Sequence, residues 1–409
     1  MSNWRADFPA INNHLEWIYL DNAATMQKPQ CVIARRLDYE QNGRTALGRS
    51  SGQIPSEQNQ LYQQAKLHIE QAFGMKKDEL IITPSATGAA NLLAINLNLF
   101  TQDDCPGVAL ANSNHSSLLA PFFSLEKNHQ AKITLIPVDK TGKVDLGKLA
   151  PLLTNETIRL IALSSVSNVL GISEDVNHLG KMIAQANKKR QHRLFFALDA
   201  AASVSESEIN FTRFAGDFII LSAHKMGGPM LGGLGVKKQL LQASLFLPNL
   251  LGGGNVEFCP KQQTYQMVKD KGKLFNAGVF DLASLLEWET VCQYWQKERT
   301  QKLCYLRQLT ASLVTGLSKI PGIKILGEGE RGHIVSFIYQ PYHNQDVMAY
   351  LALNGVCARE GQHCAQLLHQ QLGLEGSIRF SLAIYNQQRE ITQVLQLLTN
   401  LPRVIQAPT

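Results

Sequence analysis

Residues 159–199 read RLIALSSVSNVLGISEDVNHLGKMIAQANKKRQHRLFFALD, and this stretch decides the fold. Arg159 to Val166 and Leu194 to Asp199 are short apolar runs of strand length, and Val176 to Asn187 between them suits a helix. Strand, helix and strand within 41 residues make one crossover unit of a parallel sheet. Working outward, Glu79 to Thr83 reads as a strand and Thr87 to Leu97 as the helix after it; Asp217 to Leu221 is a further apolar strand. Strands separated by helices predict an α/β chain with a mostly parallel sheet covered on both faces. In such sheets functional residues gather where strands end.

The flanks differ in texture. Glu57 to Phe73 reads as a helix with Ser56 as N-cap and Gly74 as its stop. A long helix is expected from Ala283 to about Ser318, bent or broken within. A strand (His333 to Ile338), a helix (Asn344 to Leu353), a strand (Val356 to Arg359), a loop with Cys364, a strand (Ser377 to Ala383) and a closing helix (Arg389 to Leu401) follow. This predicts a large domain over 21–282 and a smaller α+β domain over 283–409, the latter joined by residues 1–20.

Composition bounds the function. With 44% hydrophobic and 18% charged residues, the 409-residue chain reads as an ordinary globular protein. Apolar runs such as Leu92–Ile95 are far too short to span a bilayer, and Met1 to Ile11 carries no secretory stretch, so the expected location is the cytoplasm. The net charge of +6 is spread along the chain, and Lys188-Lys189-Arg190 reads as a solvated helix end, so neither nucleic acid nor membrane is an expected partner. Seven scattered cysteines show no metal-type spacing and suggest reduced thiols.

Four segments at strand ends carry the chemistry. Thr83-Pro-Ser-Ala-Thr87 opens a helix that either holds a phosphate or is simply capped. Asp199 ends a buried strand and must find a cation or several donors, or else caps the next helix. Lys225, in Ser222-Ala-His-Lys-Met-Gly-Gly-Pro229, is poorly solvated and suited to Schiff-base formation, with a surface lysine in a Gly-Pro turn as the bland alternative. His115 ends Asn112-Ser-Asn-His115, a loop after the apolar Val108 to Ala111.

In combination these segments resemble the class V aminotransferase family of fold-type-I pyridoxal-5′-phosphate (PLP) enzymes. The match extends through Tyr19-Leu-Asp-Asn-Ala-Ala24, Val166-Ser-Asn-Val-Leu-Gly171, Leu251-Gly-Gly-Gly254, Asn276-Ala-Gly278 and Arg379-x-Ser381. Arg359-Glu-Gly-Gln-His-Cys-Ala-Gln366 is similar to the R-x-G-x-H-C-A motif of the cysteine desulfurase and cysteine sulfinate desulfinase group, which includes SufS-type enzymes. The resemblance implies a large domain with a seven-stranded sheet, a homodimer, and a SufE-like sulfur-acceptor protein as partner. It implies that Lys225 holds the cofactor and shuttles the substrate Cα proton, and that Asp199 pairs with the pyridinium. His115 stacks on the ring, while Thr87, Ser222, His224 and the backbone at Ala86 receive the phosphate. Asn168 contacts the cofactor or substrate, Arg379 clamps the substrate carboxylate, Arg359 is a further substrate-binding residue, and Cys364 accepts sulfur from L-cysteine with Arg359 close enough to favour its thiolate. Cysteine sulfinate and selenocysteine are further candidate substrates. No metal is implied.

The chain departs from the family pattern in places. Ala202 stands where relatives have a glutamine on the cofactor's phenolic oxygen, Val279 and Ala86 replace threonines near the phosphate, and Gly88 replaces an acidic residue. Gly48-Arg-Ser-Ser-Gly52 lacks the histidines of relatives. Each missing hydrogen bond is worth about 1 kcal/mol, which implies weaker cofactor binding or a shifted substrate preference. Two other readings stand beside desulfuration: a same-fold lyase or aminotransferase with another substrate, and a non-catalytic relative with a weakened cofactor site.

Overall fold

A computed structural model of the chain describes residues 4–47, 51–205, 209–243, 245–259, 264–268, 274–275, 277–278 and 280–404. After a short strand β1 (Ile18–Tyr19), the chain enters a seven-stranded sheet. Its strands are β2 (Leu80–Thr83), β3 (Gly107–Ala111), β4 (Lys132–Ile136), β5 (Ile158–Ser164), β6 (Phe195–Asp199), β7 (Phe218–Ser222) and β8 (Gly232–Val236), in the spatial order β2-β8-β7-β6-β5-β3-β4. β4, β3, β5, β6 and β7 are mutually parallel, and β8 runs antiparallel to both β7 and β2. Every residue of β3, β5, β6, β7 and β8 is buried, because helices cover both faces. Side chains alternate between the faces. Phe196, Leu198, Ile219 and Leu221 enter one apolar cluster, whereas Phe195, Ala197, Phe218 and Ile220 enter the other.

β8 was not foreseen, since Gly-Gly-Leu-Gly-Val has little strand character. Its glycines are required by packing: a Cβ on Gly232 would lie 2.1 Å from the carbonyl carbon of Ser85. β8 therefore backs directly onto the start of the helix Ala86–Ile95.

β9 (Val256–Cys259) and β10 (Thr264–Met267) pair as an antiparallel ribbon. Beyond it, β11 (Ile323–Ile325), β12 (Ile334–Tyr339), β14 (Arg359–Gly361) and β15 (Ser377–Ser381) form a second sheet, ordered β11-β12-β15-β14. Between β12 and β14 lies β13 (Val356–Cys357), which pairs in parallel with β1 and brings Ile18 and Leu20 into the cluster of the second sheet. Val356 to Arg359 is thus not one strand: its two ends serve different partners, β1 and β15.

Two helices also differ from expectation. The helix expected from Glu57 spans Gln53–Ala72 and is capped by Gly52, not Ser56. Pro55 does not prevent the earlier start, because N–H groups of a first turn have no intrahelical acceptor. The expected long helix is two, Leu282–Gln296 and Arg299–Leu317, separated where Glu298 adopts the left-handed conformation. No helix among the described residues is long and apolar enough to cross a membrane.

Candidate active site

A cavity of about 280 Å³ opens at the carboxyl ends of β5, β6 and β7. All of the site residues expected from sequence line it: Ala86, Thr87, His115, Asn168, Asp199, Ser222, His224, Lys225, Arg359, Cys364 and Arg379.

Asp199 is the last residue of β6, and its Oδ1 accepts the N–H of Ala201 at 2.9 Å. Lys225 sits in the single 3₁₀ turn His224–Met226 after β7. Burial lowers the Lys225 pKa and raises that of Asp199, and each group's charge counters the effect on the other. Burial thus favours the neutral amine of Lys225, the form that can act as a nucleophile.

His115 is the N-cap of the helix Ser116–Lys127. The N–H of Ser117 donates to its Nδ1 at 3.1 Å, so the proton of the neutral ring sits on Nε2. Burial, then Lys225 and Arg379, hold its pKa down at about 4. His224 is likewise held at about 4 by burial and Lys225. Both rings are neutral near pH 7.

The cavity also holds donors suited to an anion. The Ser85 hydroxyl caps Gly88 N–H at 3.1 Å, leaving the N–H groups of Ala86 and Thr87 without an intrahelical acceptor at the cavity. The Ser222 hydroxyl is buried and has no hydrogen-bond partner among the described residues.

The far wall carries the cationic groups. Arg379 is buried; its Nη1 donates to the Asn168 carbonyl at 3.0 Å and its Nη2 to Asp21 Oδ1 at 3.1 Å. Its Nε has no partner among the described residues, nor has Asn168 Oδ1. The Asn168 amide in turn donates to the His363 carbonyl at 2.8 Å. Arg359 gives Nη2 and Nε to Asp21 Oδ2 at 2.9 and 3.2 Å, so its fork closes on a carboxylate rather than on the Cys364 sulfur that sequence reading had paired with it.

Cys364 is an exposed free thiol. Both it and His363 adopt left-handed backbone conformations, with φ of 56° and 51°, which cost energy for residues other than glycine. The loop is held by Ser116, whose N–H and hydroxyl reach the Cys364 carbonyl at 2.7 and 2.8 Å. Beneath it, His363 Nε2 lies 2.9 Å from the Ser377 carbonyl and therefore carries the ring proton.

Asp21, Ser116 and His363 were given no role from sequence. Asp21 lies within the quoted Tyr19 to Ala24 segment, but its partners are 338 and 358 residues away, beyond any local pattern. Ala202 lines the cavity with only a methyl group. Gly48 to Ser50, Asn276 and Val279 lie outside the described residues. Among the described residues no group of three or more His, Cys, Asp or Glu side chains could hold a metal.

These residues fit PLP. The cofactor needs an amine for its aldehyde, an anion beside its ring nitrogen and donors for its phosphate. Lys225, Asp199 and the cradle of Ala86, Thr87 and the unpartnered Ser222 hydroxyl supply those three.

Comparison with known proteins agrees with this chemistry. The family model described as Aminotransferase class-V matches residues 18–394. The chain is similar to a probable cysteine desulfurase of Vibrio cholerae (27% identity, 96% of each chain) and to a cysteine desulfurase of Pectobacterium carotovorum (28%, 98% of each). Its fold is similar to the apo structure of a cysteine desulfurase from Thermococcus onnurineus, with TM-score 0.89, 25% identity and 98% of each chain covered. It is also similar to the Escherichia coli cysteine desulfurase CsdA, with TM-score 0.85, 24% identity and 98% of each chain covered. The architecture is that of PLP fold type I. With that fold, a family match spanning most of its length and a cavity lined by Lys225 and Asp199, the chain belongs to the class V aminotransferase family, and its cofactor is pyridoxal 5′-phosphate.

Proposed function

We propose that the protein is a cysteine desulfurase that takes sulfur from L-cysteine onto Cys364 and releases L-alanine. The observation that carries this reading is an exposed free thiol on the same cavity as Lys225 and Asp199. The names of the similar enzymes support it.

Bound PLP supplies an electron sink for charge that develops at the substrate Cα. Asp199 keeps the cofactor's ring nitrogen protonated, and Ser222, His224 and the N–H groups of Ala86 and Thr87 hold its phosphate. His115 lies against the ring as a neutral imidazole with its proton on Nε2. Arg379 and Asn168 orient the amino acid by its carboxylate. Lys225 would take the proton from Cα and later return it there. The Cys364 thiolate then attacks the substrate sulfur: the new S–S bond forms, the Cβ–S bond breaks, and its electron pair stays on the carbon side. A proton delivered to Cβ, together with return of the Cα proton from Lys225, completes alanine and leaves a persulfide on Cys364. Cysteine sulfinate and selenocysteine release their groups without that attack.

The active form is a homodimer, and a SufE-like acceptor takes the sulfur onward. The exposed apolar side chains of Leu251, Phe258 and Met267 on and beside the β9–β10 ribbon support pairing with a second copy.

The test is the visible spectrum of the purified protein with alanine and sulfide release from L-cysteine. Wild type shows a cofactor band that Lys225→Ala loses. Cys364→Ala keeps the band but loses at least about 100-fold in alanine release from cysteine. Full turnover in Cys364→Ala favours a same-fold lyase or aminotransferase. A colourless protein that takes up no added PLP favours a non-catalytic relative, the reading that Ala202 motivates.

A further inference from the structure

Arg379 is about 3% exposed, and a guanidinium does not lose its proton, so its charge has to be balanced locally. Arg359 comes from the neighbouring strand, with Arg359 and Arg379 paired across β14 and β15. Asp21 touches both. One oxygen takes Arg379 Nη2, and the other takes Nη2 and Nε of Arg359. Asp21 is itself fixed: it bridges to Ser381, whose N–H donates to the Leu20 carbonyl at 2.7 Å. It stands behind the arginines, which line the cavity while it does not.

Two guanidinium groups and one carboxylate leave one net positive charge, enough for one substrate carboxylate. An amino acid with a second acidic group meets no free cation there unless Arg359 leaves Asp21. We propose that Asp21 is a positioning residue that sets the charge selectivity of the site, by holding Arg359 in its own ion pair and leaving Arg379 Nε for a single carboxylate. This rests on the proposed function for where the amino acid sits. A purely structural Asp21, tying β1 to β15, would weaken all amino acids alike.

The test uses the PLP-loaded protein and two probes, L-alanine and L-aspartate, the latter carrying its second carboxylate where cysteine sulfinate carries its sulfinate. Affinities are measured by calorimetry, and alanine release from cysteine and from cysteine sulfinate is measured in parallel. Asp21→Asn is expected to raise the aspartate-to-alanine affinity ratio about tenfold, because it frees Arg359. Arg359→Gln is expected to lower that ratio about tenfold, because Asp21 Oδ2 then loses its partner and repels a second acidic group, and Asp21→Glu to leave it near wild type. Ratios within about twofold of wild type in both Asp21→Asn and Arg359→Gln, or shifts in the same direction, overturn the inference. Should Asp21→Asn not fold, Arg359→Gln decides alone: an unchanged ratio overturns the inference. Wild type that binds both probes but releases alanine from neither sulfur substrate overturns the desulfurase reading, while the ratios still decide the role of Asp21.

Discussion

Three histidines at the cavity, His115, His224 and His363, are withdrawn from water, and burial is the main cause that holds their pKa values at about 4, 4 and 3. In the unfolded chain each titrates near about 6.5. Between those limits the unfolded chain binds more protons, so stability is full above about pH 6.5 and falls as pH drops towards 4. Each contributes a slope of at most about 1.4 kcal/mol per pH unit in that window. Urea midpoints at pH 7 and pH 5 are expected to differ clearly, and His363→Gln to narrow the difference. An unchanged gap would mean that His363 is protonated in the fold. Which residues meet at this cavity was partly legible in the sequence. Asp199 and Lys225 each follow an apolar strand, where a charge has no solvent of its own. Asp21 and Ser116 were not legible, because their meaning comes from partners brought by β15 and the Cys364 loop.

At the scale of elements, the strand–helix–strand pattern of 159–199 yields β5, the helix Val176–Asn187 and β6 with ends correct to within two residues. Apolar content marks a buried strand well. Close approach of two backbones does not show in apolar content, and β8 was missed for that reason. Gly232→Ala tests the point: its added Cβ has to displace Ser85, at a cost of about 1–3 kcal/mol for overpacking. The same displacement moves the N–H groups of Ala86 and Thr87, so weaker PLP retention on gel filtration is expected together with the lower urea midpoint. Loss of stability with cofactor retention unchanged would show that the cradle does not depend on β8. The break at Glu298 was foreseen as a bend or break within 36 residues but not placed, since an αL residue other than glycine leaves no sequence signature.

The whole molecule is tied together by its first described residues. Trp4, Phe8 and Ile11 enter the cluster of the large sheet, and Arg5 reaches across to the C-terminal region. Its Nη1 donates to Glu390 at 2.6 Å and to the Tyr385 carbonyl at 3.1 Å, with both charged side chains buried. Glu390→Gln leaves a buried guanidinium without its counter-charge, and a loss of about 3–5 kcal/mol is expected by denaturant unfolding. A loss under about 1 kcal/mol would mean that water reaches Arg5. We propose that the chain forms two lobes, 21–282 and 283–409, bridged by the helix after 282 and by residues 1–20, of which Ile18 and Leu20 join the cluster of the small sheet and Trp4, Phe8 and Ile11 that of the large one. The helix Leu282–Gln296 packs with the large sheet and Arg299–Leu317 with the small one, so limited proteolysis near Glu298 is the natural probe of that division.

The mooring of Cys364 has a consequence for traffic. Its main chain is pinned through the carbonyl by two donors of Ser116 and set in two successive left-handed residues, so the sulfur can travel only as far as one rotatable bond carries it. If Cys364 carries sulfur as proposed, an outward swing of its loop would first have to break both hydrogen bonds to Ser116. On that reading the acceptor would collect at the mouth of the cavity, where the Cys364 side chain is exposed.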